Sequence, residues 1–158
     1  MILRPAQASD ADGMSAVLEA LVTARKRTKP SDAGFVLAHY IQHPNRIECY
    51  VAVSDEGDIL GFQSLKIAVE GNAYGAPVGW GVIGTHVHPQ AVRRGVGTAL
   101  FQKTLQAARL SGVPAIDALI GAQSAEGLAY YDAMGFRDYR FEQGAVGKSI
   151  AVQPGPGL

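Results

Sequence analysis

The chain has 158 residues, 47% of them apolar, which suits one compact domain around one core and leaves no room for a second. Fourteen Lys and Arg balance fourteen Asp and Glu at a pI near 6.9, so no global field recruits nucleic acid or an anionic membrane, and any polyanion needs a local site. The opening Met1-Ile-Leu-Arg-Pro has no basic segment leading into an apolar one, and no apolar run nears the roughly 18 residues of a bilayer span, so a soluble cytoplasmic protein is expected.

The segment "SDADGMSAVLEAL" offers Ser9 or Asp10 as a helix cap, followed by Met14, Val17, Leu18 and Leu21 at the spacing of one buried helical face. After Arg25-Lys26-Arg27, "KPSDAGFVLAHYIQHP" predicts a second helix, capped by Ser31, with Leu37, Tyr40 and Ile41 as core and Pro44 past its end. Residues 47 to 54 and 59 to 69 are rich in β-formers and are joined by Asp55-Glu56-Gly57-Asp58, a hairpin signature. The lone Cys49 lies in the first of these runs and reads as a buried, inert thiol. Glu70 to Gly81 carries four glycines and Pro77, which marks a loop.

A strand over 82 to 88 ends at Pro89, which cannot donate to a ladder. Past "RRGVG" comes an amphipathic helix, with Gln102, Lys103, Gln106 and Arg109 polar and Leu100, Phe101, Leu105 and Ala108 apolar; Gly112 and Pro114 end it. "PAIDALIG" supplies the next strand, and strand, helix, strand at this length predicts a parallel crossover. A short helix follows, capped by Ser124 and stopped at Gly135, then closing strands at 136 to 141 and 148 to 152 and a frayed tail.

Between the strand and the helix, "VHPQAVRRGVGTAL" combines a Pro, an Arg pair and Gly-x-Gly. The first turn of a helix has backbone N–H groups without internal acceptors and the positive end of the helix dipole, so an anion is its natural partner. Glycines 95 and 97 let a ligand approach the main chain, and Arg93 and Arg94 add local charge, so the turn is read as a pyrophosphate site. The alternative is that the glycines only permit helix-on-strand packing. "RRGVGTAL" lacks the Lys of a Walker A loop, and Leu100 stands where a dinucleotide fingerprint needs its third Gly.

"HVHPQAVRRGVGTALFQKTLQAARLSG" with "AYYDAMGF" resembles the GNAT superfamily of acetyl-CoA-dependent N-acetyltransferases over nearly the whole chain. The family motif Q/RxxGxG/A falls on Val92, Arg93, Arg94, Gly95, Val96 and Gly97, with Val92 in place of the usual Gln or Arg. The resemblance implies an α/β (α+β) fold: a mixed, mostly antiparallel sheet of six or seven strands, splayed between strands 4 and 5 and flanked by about four helices. It places one N-acetyltransferase domain over 1–153, with 154–158 as the tail. Acetyl-CoA is the implied cofactor, with Val92 to Thr98 at its pyrophosphate, Thr85 N–H facing the thioester oxygen, Val87 pairing with the pantetheine, and Ser124 near the cofactor arm. Oxyanion donors of this kind are worth roughly 2.7 to 4 kcal/mol in other acyl-transfer enzymes.

Tyr131 matches the family tyrosine that protonates the departing thiolate, its neighbour Tyr130 being the weaker candidate. The general base is missing from its family positions, which hold Gly81 and Ile83. His86 is the substitute candidate, then His88, a water relay, Glu70 or Tyr74. No metal is expected. The implied reaction is direct acetyl transfer to a primary amine in a ternary complex, on a small molecule or amino acid, and "LIGAQSAEGLAYYDAMGF" with "GAVGK" is similar to the phosphinothricin-type branch. Homodimerisation is implied by the family alone. The competing readings are a non-catalytic acyl-CoA sensor, a polyamine or protein-lysine acetyltransferase, and a nucleotide-binding domain unrelated to CoA.

Overall fold

The computed structural model describes residues 1–154, so the tail expected over 154–158 lies, past Pro154, outside the described residues. In chain order the elements are β1 (Ile2–Pro5), α1 (Ala11–Thr23), α2 (Ala33–Val36), β2 (Arg46–Val53), β3 (Ile59–Ile67), β4 (Gly81–Val87), α3 (Val96–Ser111), β5 (Ala115–Gly121), α4 (Ala125–Ala133), β6 (Arg137–Glu142) and β7 (Ala145–Ala151). They form one seven-stranded sheet in the order β1-β2-β3-β4-β5-β7-β6, and four helices flank it. Every strand pair is antiparallel except β4 with β5, the two strands joined by the α3 crossover.

The two largest hydrophobic clusters lie on opposite faces of the sheet. Met14, Val17 and Leu18 from α1, with Val36, Tyr40 and Ile41, pack on Cys49, Val51 and Phe62; every one of these residues is buried. On the opposite face Phe101 and Ala108 from α3 and Tyr131 from α4 pack with Phe136 on Leu65, Ile83 and Ile116. Apolar residues at i, i+3 and i+4 in α1 and α3 thus set which helix face meets the sheet. No helix among the described residues is long and apolar enough to cross a membrane.

Three local expectations are corrected. β1 was not anticipated: four residues ending in Pro5 carry no periodic signal, and they form a strand because the edge of β2 accepts them, an edge being where proline is tolerated. The second helix is a single α-turn followed by a π-turn over Leu37–Ile41, and its cap is Asp32, whose carboxylate accepts from Phe35 N–H at 3.0 Å, in place of Ser31. Asp10 does not cap α1; it accepts from Gln7 N–H and holds the Arg4 guanidinium at 2.7 and 2.9 Å.

β4 and β5 meet only at Gly81 with Ile116 and Val82 with Asp117. Beyond Val82 the ladder stops, although β4 runs on to Val87 and stays paired with β3 throughout. The sheet therefore opens into a gap whose β4 wall is an unpaired strand edge.

Candidate functional site at the opened sheet edge

Alternation decides which main-chain groups face the gap. His88 N–H donates to Leu60 C=O at 2.8 Å and Trp80 C=O accepts from Ala68 N–H at 2.8 Å, so the even-numbered residues of β4 exchange hydrogen bonds with β3. The last bridge, Val82 with Asp117, engages Ile83 N–H, so Ile83 C=O and the N–H and C=O groups of Thr85 and Val87 point into the gap. They are hydrogen-bonding groups with no strand opposite them, a ready ladder for an extended amide-containing ligand.

The gap's outer end leads to the glycine turn. The His88 ring caps a short 3-10 turn, Pro89–Ala91, by accepting from Gln90 N–H at 3.1 Å. Ala91 is buried, and the chain from Val92 to Gly95 is exposed. Arg93 and Gly95 both have positive φ, 65° and 77°. A non-glycine residue there costs about 1–2 kcal/mol, and the result is a turn with its amides on one side. The first internal bond of α3 runs from Ala99 N–H to Gly95 C=O at 3.0 Å, so the N–H groups of Val96, Gly97 and Thr98 have no helical acceptor. A concavity of about 340 Å³ beside the turn is lined by Arg94, His88, Gln90 and Gly13, among others.

Gly97 plays a different part from the one its motif suggests. A Cβ there would stand 2.6 Å from Cε1 of Tyr130, whereas at Gly95 nothing lies within 4 Å. Gly95 serves the backbone turn, and Gly97 makes room for a tyrosine of α4. Gly97→Ala therefore pushes α3 and α4 apart, at about 1–3 kcal/mol for overpacking. The expected result is a lower melting temperature together with weaker CoA binding, read by thermal shift with and without CoA; a variant matching wild type in both contradicts the packing account.

On the α3/α4 face, one hydrogen-bond network ties the gap to both helices. Gln63 Nε2 donates to Thr85 Oγ1 at 2.9 Å and to Tyr130 Oη at 3.0 Å, Tyr130 Oη donates to Gly97 C=O at 2.7 Å, and Thr85 Oγ1 lies 2.8 Å from Tyr131 Oη. The structure thus brings the candidates Thr85, Tyr131 and Tyr130 into one cluster and adds Gln63 to it. Burial pushes the Tyr130 phenol up to about 12 and raises Tyr131 further still, against the opposing hydrogen bond from Thr85, so both stay protonated and able to donate. Ser124 caps α4, its Oγ accepting from Gly127 N–H at 3.3 Å. Gln63 was overlooked because a glutamine in a β-rich run reads as a surface residue, yet here it is fully buried.

The opposite face carries the histidines. His86 packs on Phe62, with ring centroids 4.8 Å apart, and its Nε2 lies 3.1 Å from Tyr40 Oη. His39, on the π-turn, lies 3.3 Å from Tyr74 Oη, which joins that turn to the glycine-rich loop. The family base positions are closed: Ile83 is buried, and a Cβ on Gly81 would stand 2.9 Å from Leu65. Burial, then nearby cations, holds His86 down to about 3 and His39 to about 4.

Both folded values lie below the unfolded value near 6.5, so the unfolded chain takes up protons that the native state refuses. Stability from these two histidines is intact above about pH 6.5 and is lost as pH falls toward 3. The urea midpoint is expected to drop already between about pH 6.5 and 4.5, above the range where carboxylates titrate, and a His39→Gln/His86→Gln variant flattens that drop. A wild-type midpoint that is level across this window contradicts the burial of neutral imidazoles.

A model of the acetyltransferase (GNAT) family matches residues 14–136 of the chain. Among solved structures, the GNAT domain of S. lividans PAT superposes with TM-score 0.76 at 20% identity, covering 94% of this chain and 89% of that one. A GNAT superfamily phosphinothricin acetyltransferase from Sinorhizobium meliloti, solved in complex with AcCoA, gives 0.74 at 21%, covering 99% and 94%. The ribosomal-protein-S18-alanine N-acetyltransferase of Escherichia coli gives 0.72 at 15%, covering 99% and 97%. At these identities the likeness establishes the fold. No curated protein sequence matches the chain.

Proposed function

The chain belongs to the acetyltransferase (GNAT) family, and from that premise we propose that it moves an acetyl group from acetyl-CoA to the primary amine of a small molecule or amino acid, with both substrates bound at once. The observation that carries this reading is the unpaired β4 edge leading into a helix start with free amides. Those residues fit the cofactor: a ladder for the pantetheine amides, donors and two arginines for the pyrophosphate, and a buried phenol beside the ladder. Acetyl-CoA supplies a thioester, at whose carbonyl carbon a C–N bond forms as the C–S bond breaks.

In this reading Val92 to Thr98 grip the pyrophosphate through main-chain N–H groups, with Arg93 and Arg94 adding charge, and Val87 pairs with the pantetheine. Val92 offers no polar side chain, so main-chain donors carry more of the contact there. Thr85 N–H donates to the thioester oxygen, and Ser124 stands at the start of α4, beside the cofactor arm. Tyr131 Oη gives its proton to the departing sulfur; its hydroxyl is already oriented by Thr85 Oγ1, itself held by Gln63. His86, held near 3 and already paired with Tyr40 Oη, is a poor proton acceptor, which favours a water relay for the ammonium proton. A single acetyltransferase domain over 1–153, a cytoplasmic location and a homodimer belong to the same proposal. By motif the chain resembles the phosphinothricin-type branch, and two solved neighbours carry that name in their own descriptions.

The filled base positions Gly81 and Ile83 favour a second reading, an acyl-CoA sensor without turnover. CoA release measured against an amine panel, beside CoA binding, separates the two. Turnover on at least one amine supports transfer; tight CoA binding with no turnover on any supports the sensor; no CoA binding removes both.

A further inference from the structure

Gln63, on β3, is fully buried, and only one end of its amide is engaged. Nε2 donates to Thr85 Oγ1 at 2.9 Å and to Tyr130 Oη at 3.0 Å, whereas Oε1 has no hydrogen-bond partner among the described residues. A buried carbonyl oxygen without a donor is unfavourable, and packing alone does not call for one, since an apolar side chain of similar size would leave no such orphan. What the glutamine adds is a group that donates two hydrogen bonds in set directions.

Those directions follow from the far end of the network, which can only accept. Tyr130 Oη donates its single proton to Gly97 C=O at 2.7 Å, in the first turn of α3. Toward Gln63 the phenol oxygen can then act only as an acceptor, so the amide must present its NH2 there, and its second N–H goes to Thr85 Oγ1. Tyr131 Oη, 2.8 Å from Thr85 Oγ1, is the acceptor within reach of the Thr85 hydroxyl proton. With Thr85 donating, the Tyr131 proton is left outside the network and free to point at a group in the gap. An amide turned the other way would set Oε1 against Thr85, draw the hydroxyl proton away from Tyr131, and turn the Tyr131 proton back onto Thr85 Oγ1.

We propose that Gln63 is a positioning residue for acetyl transfer: anchored through Tyr130 to Gly97 C=O, it orients the Thr85 hydroxyl so that Tyr131 keeps its proton for the departing sulfur. This rests on the acetyltransferase reading above and adds to it the group that sets the direction of the proton. Tyr131 Oη releases its proton as the C–S bond breaks, an O–H bond giving way to an S–H bond. The phenolate left behind keeps the hydrogen bond from Thr85 and is reprotonated, through water, by the proton that the amine nitrogen loses. The Gln63 amide touches no reacting atom, and its effect passes through Thr85. Because Gly97 lies in the turn that opens α3, the same chain of bonds ties the acid to the helix start proposed for the pyrophosphate.

The test is a double-mutant cycle on the full-length protein, with CoA release followed on glycine, methionine, spermidine and tyramine and kcat compared on the amine turned over fastest. Gln63→Met is expected to lower kcat about tenfold or more, though less than Tyr131→Phe does, with KM for acetyl-CoA within about threefold of wild type. In the Tyr131→Phe background the same substitution should change kcat by no more than about twofold, because the proton it directs is gone. Thr85→Val should repeat the Gln63→Met loss and Thr85→Ser should retain most of kcat, the hydroxyl being what carries the direction. In wild type, NMR should show nuclear Overhauser contacts from the Gln63 side-chain amide protons to Thr85 and to the Tyr130 ring. The inference is overturned by a Gln63→Met kcat within about twofold of wild type, by a loss that persists undiminished in the Tyr131→Phe background, or by amide protons turned away from Tyr130. If Gln63→Met does not fold, the two Thr85 variants in both backgrounds and the amide contacts still decide. Turnover with additive losses sinks this inference alone, whereas CoA binding with turnover of none of the amines sinks the acetyltransferase reading and this inference with it.

Discussion

Tyr131→Phe is expected to lower kcat for acetyl transfer by about 10² to 10⁴-fold, the usual worth of a positioned general acid, with little change in CoA affinity. Only the hydroxyl is lost, and the ring keeps its packing on Phe136, 5.1 Å away between centroids. Thr85 Oγ1 retains Gln63 as donor, so stability falls by no more than about 1 kcal/mol, the net worth of one hydrogen bond. Because burial raises the phenol above its ordinary value, wild-type kcat should show no loss of the acid up to pH 10. An unchanged kcat in Tyr131→Phe at every pH removes this residue from proton transfer and leaves the thiolate to depart unprotonated.

Arg140→Met is expected to produce the largest loss of stability. The Asp117 carboxylate is fully buried on β5 and is held by Arg140 Nη2 at 2.9 and 3.1 Å, by Arg140 Nε at 3.2 Å and by the Tyr139 hydroxyl. Without the guanidinium, a buried charge keeps only one phenol, a loss of about 3–5 kcal/mol. For a chain of this size that corresponds to roughly 6–20 °C in melting temperature. Asp117→Asn in the same background should recover part of the loss, since the uncompensated charge is then gone. Arg140 Nη2 also donates to Tyr74 C=O at 2.9 Å, across the gap from β6 to the glycine-rich loop. The variant should therefore also raise KM for the amine more than KM for acetyl-CoA. A melting temperature within a degree or two of wild type means that the pair is not the main brace of β5.

Local signals in the sequence were enough to lay out the elements around the opened sheet edge. The Asp-Glu-Gly-Asp hairpin, the strand before Pro89, the glycine turn and the crossover helix each announce themselves within a dozen residues, because turn chemistry and helical period act at short range. Thr85 and Tyr131 became candidates through the family resemblance carried by those elements. Much of the histidine face was not legible. Lys66 sits in "QSLKIAV", where a lysine at period two reads as a solvent-facing residue, and only the tyrosines of the π-turn and the loop, 26 residues before it and eight after, bury it. Gln63 was hidden in the same way, and the Arg140–Asp117 pair joins residues of strands separated by β7. The reason for Gly97 likewise lies 33 positions away, in Tyr130. β1 gave no signal because its order comes from β2 and not from its own four residues.

The measurement that bears most directly on the account is an NMR titration of the full-length protein with CoA, followed at assigned backbone amides. Saturable shifts concentrated at Thr85 and Val87 and at Gly95 to Thr98 are the predicted result, since these amides face the gap or open α3 without partners. A well-folded protein that shows no saturable shift at millimolar CoA, or shifts confined to surfaces away from the β4 edge and the glycine turn, would contradict it.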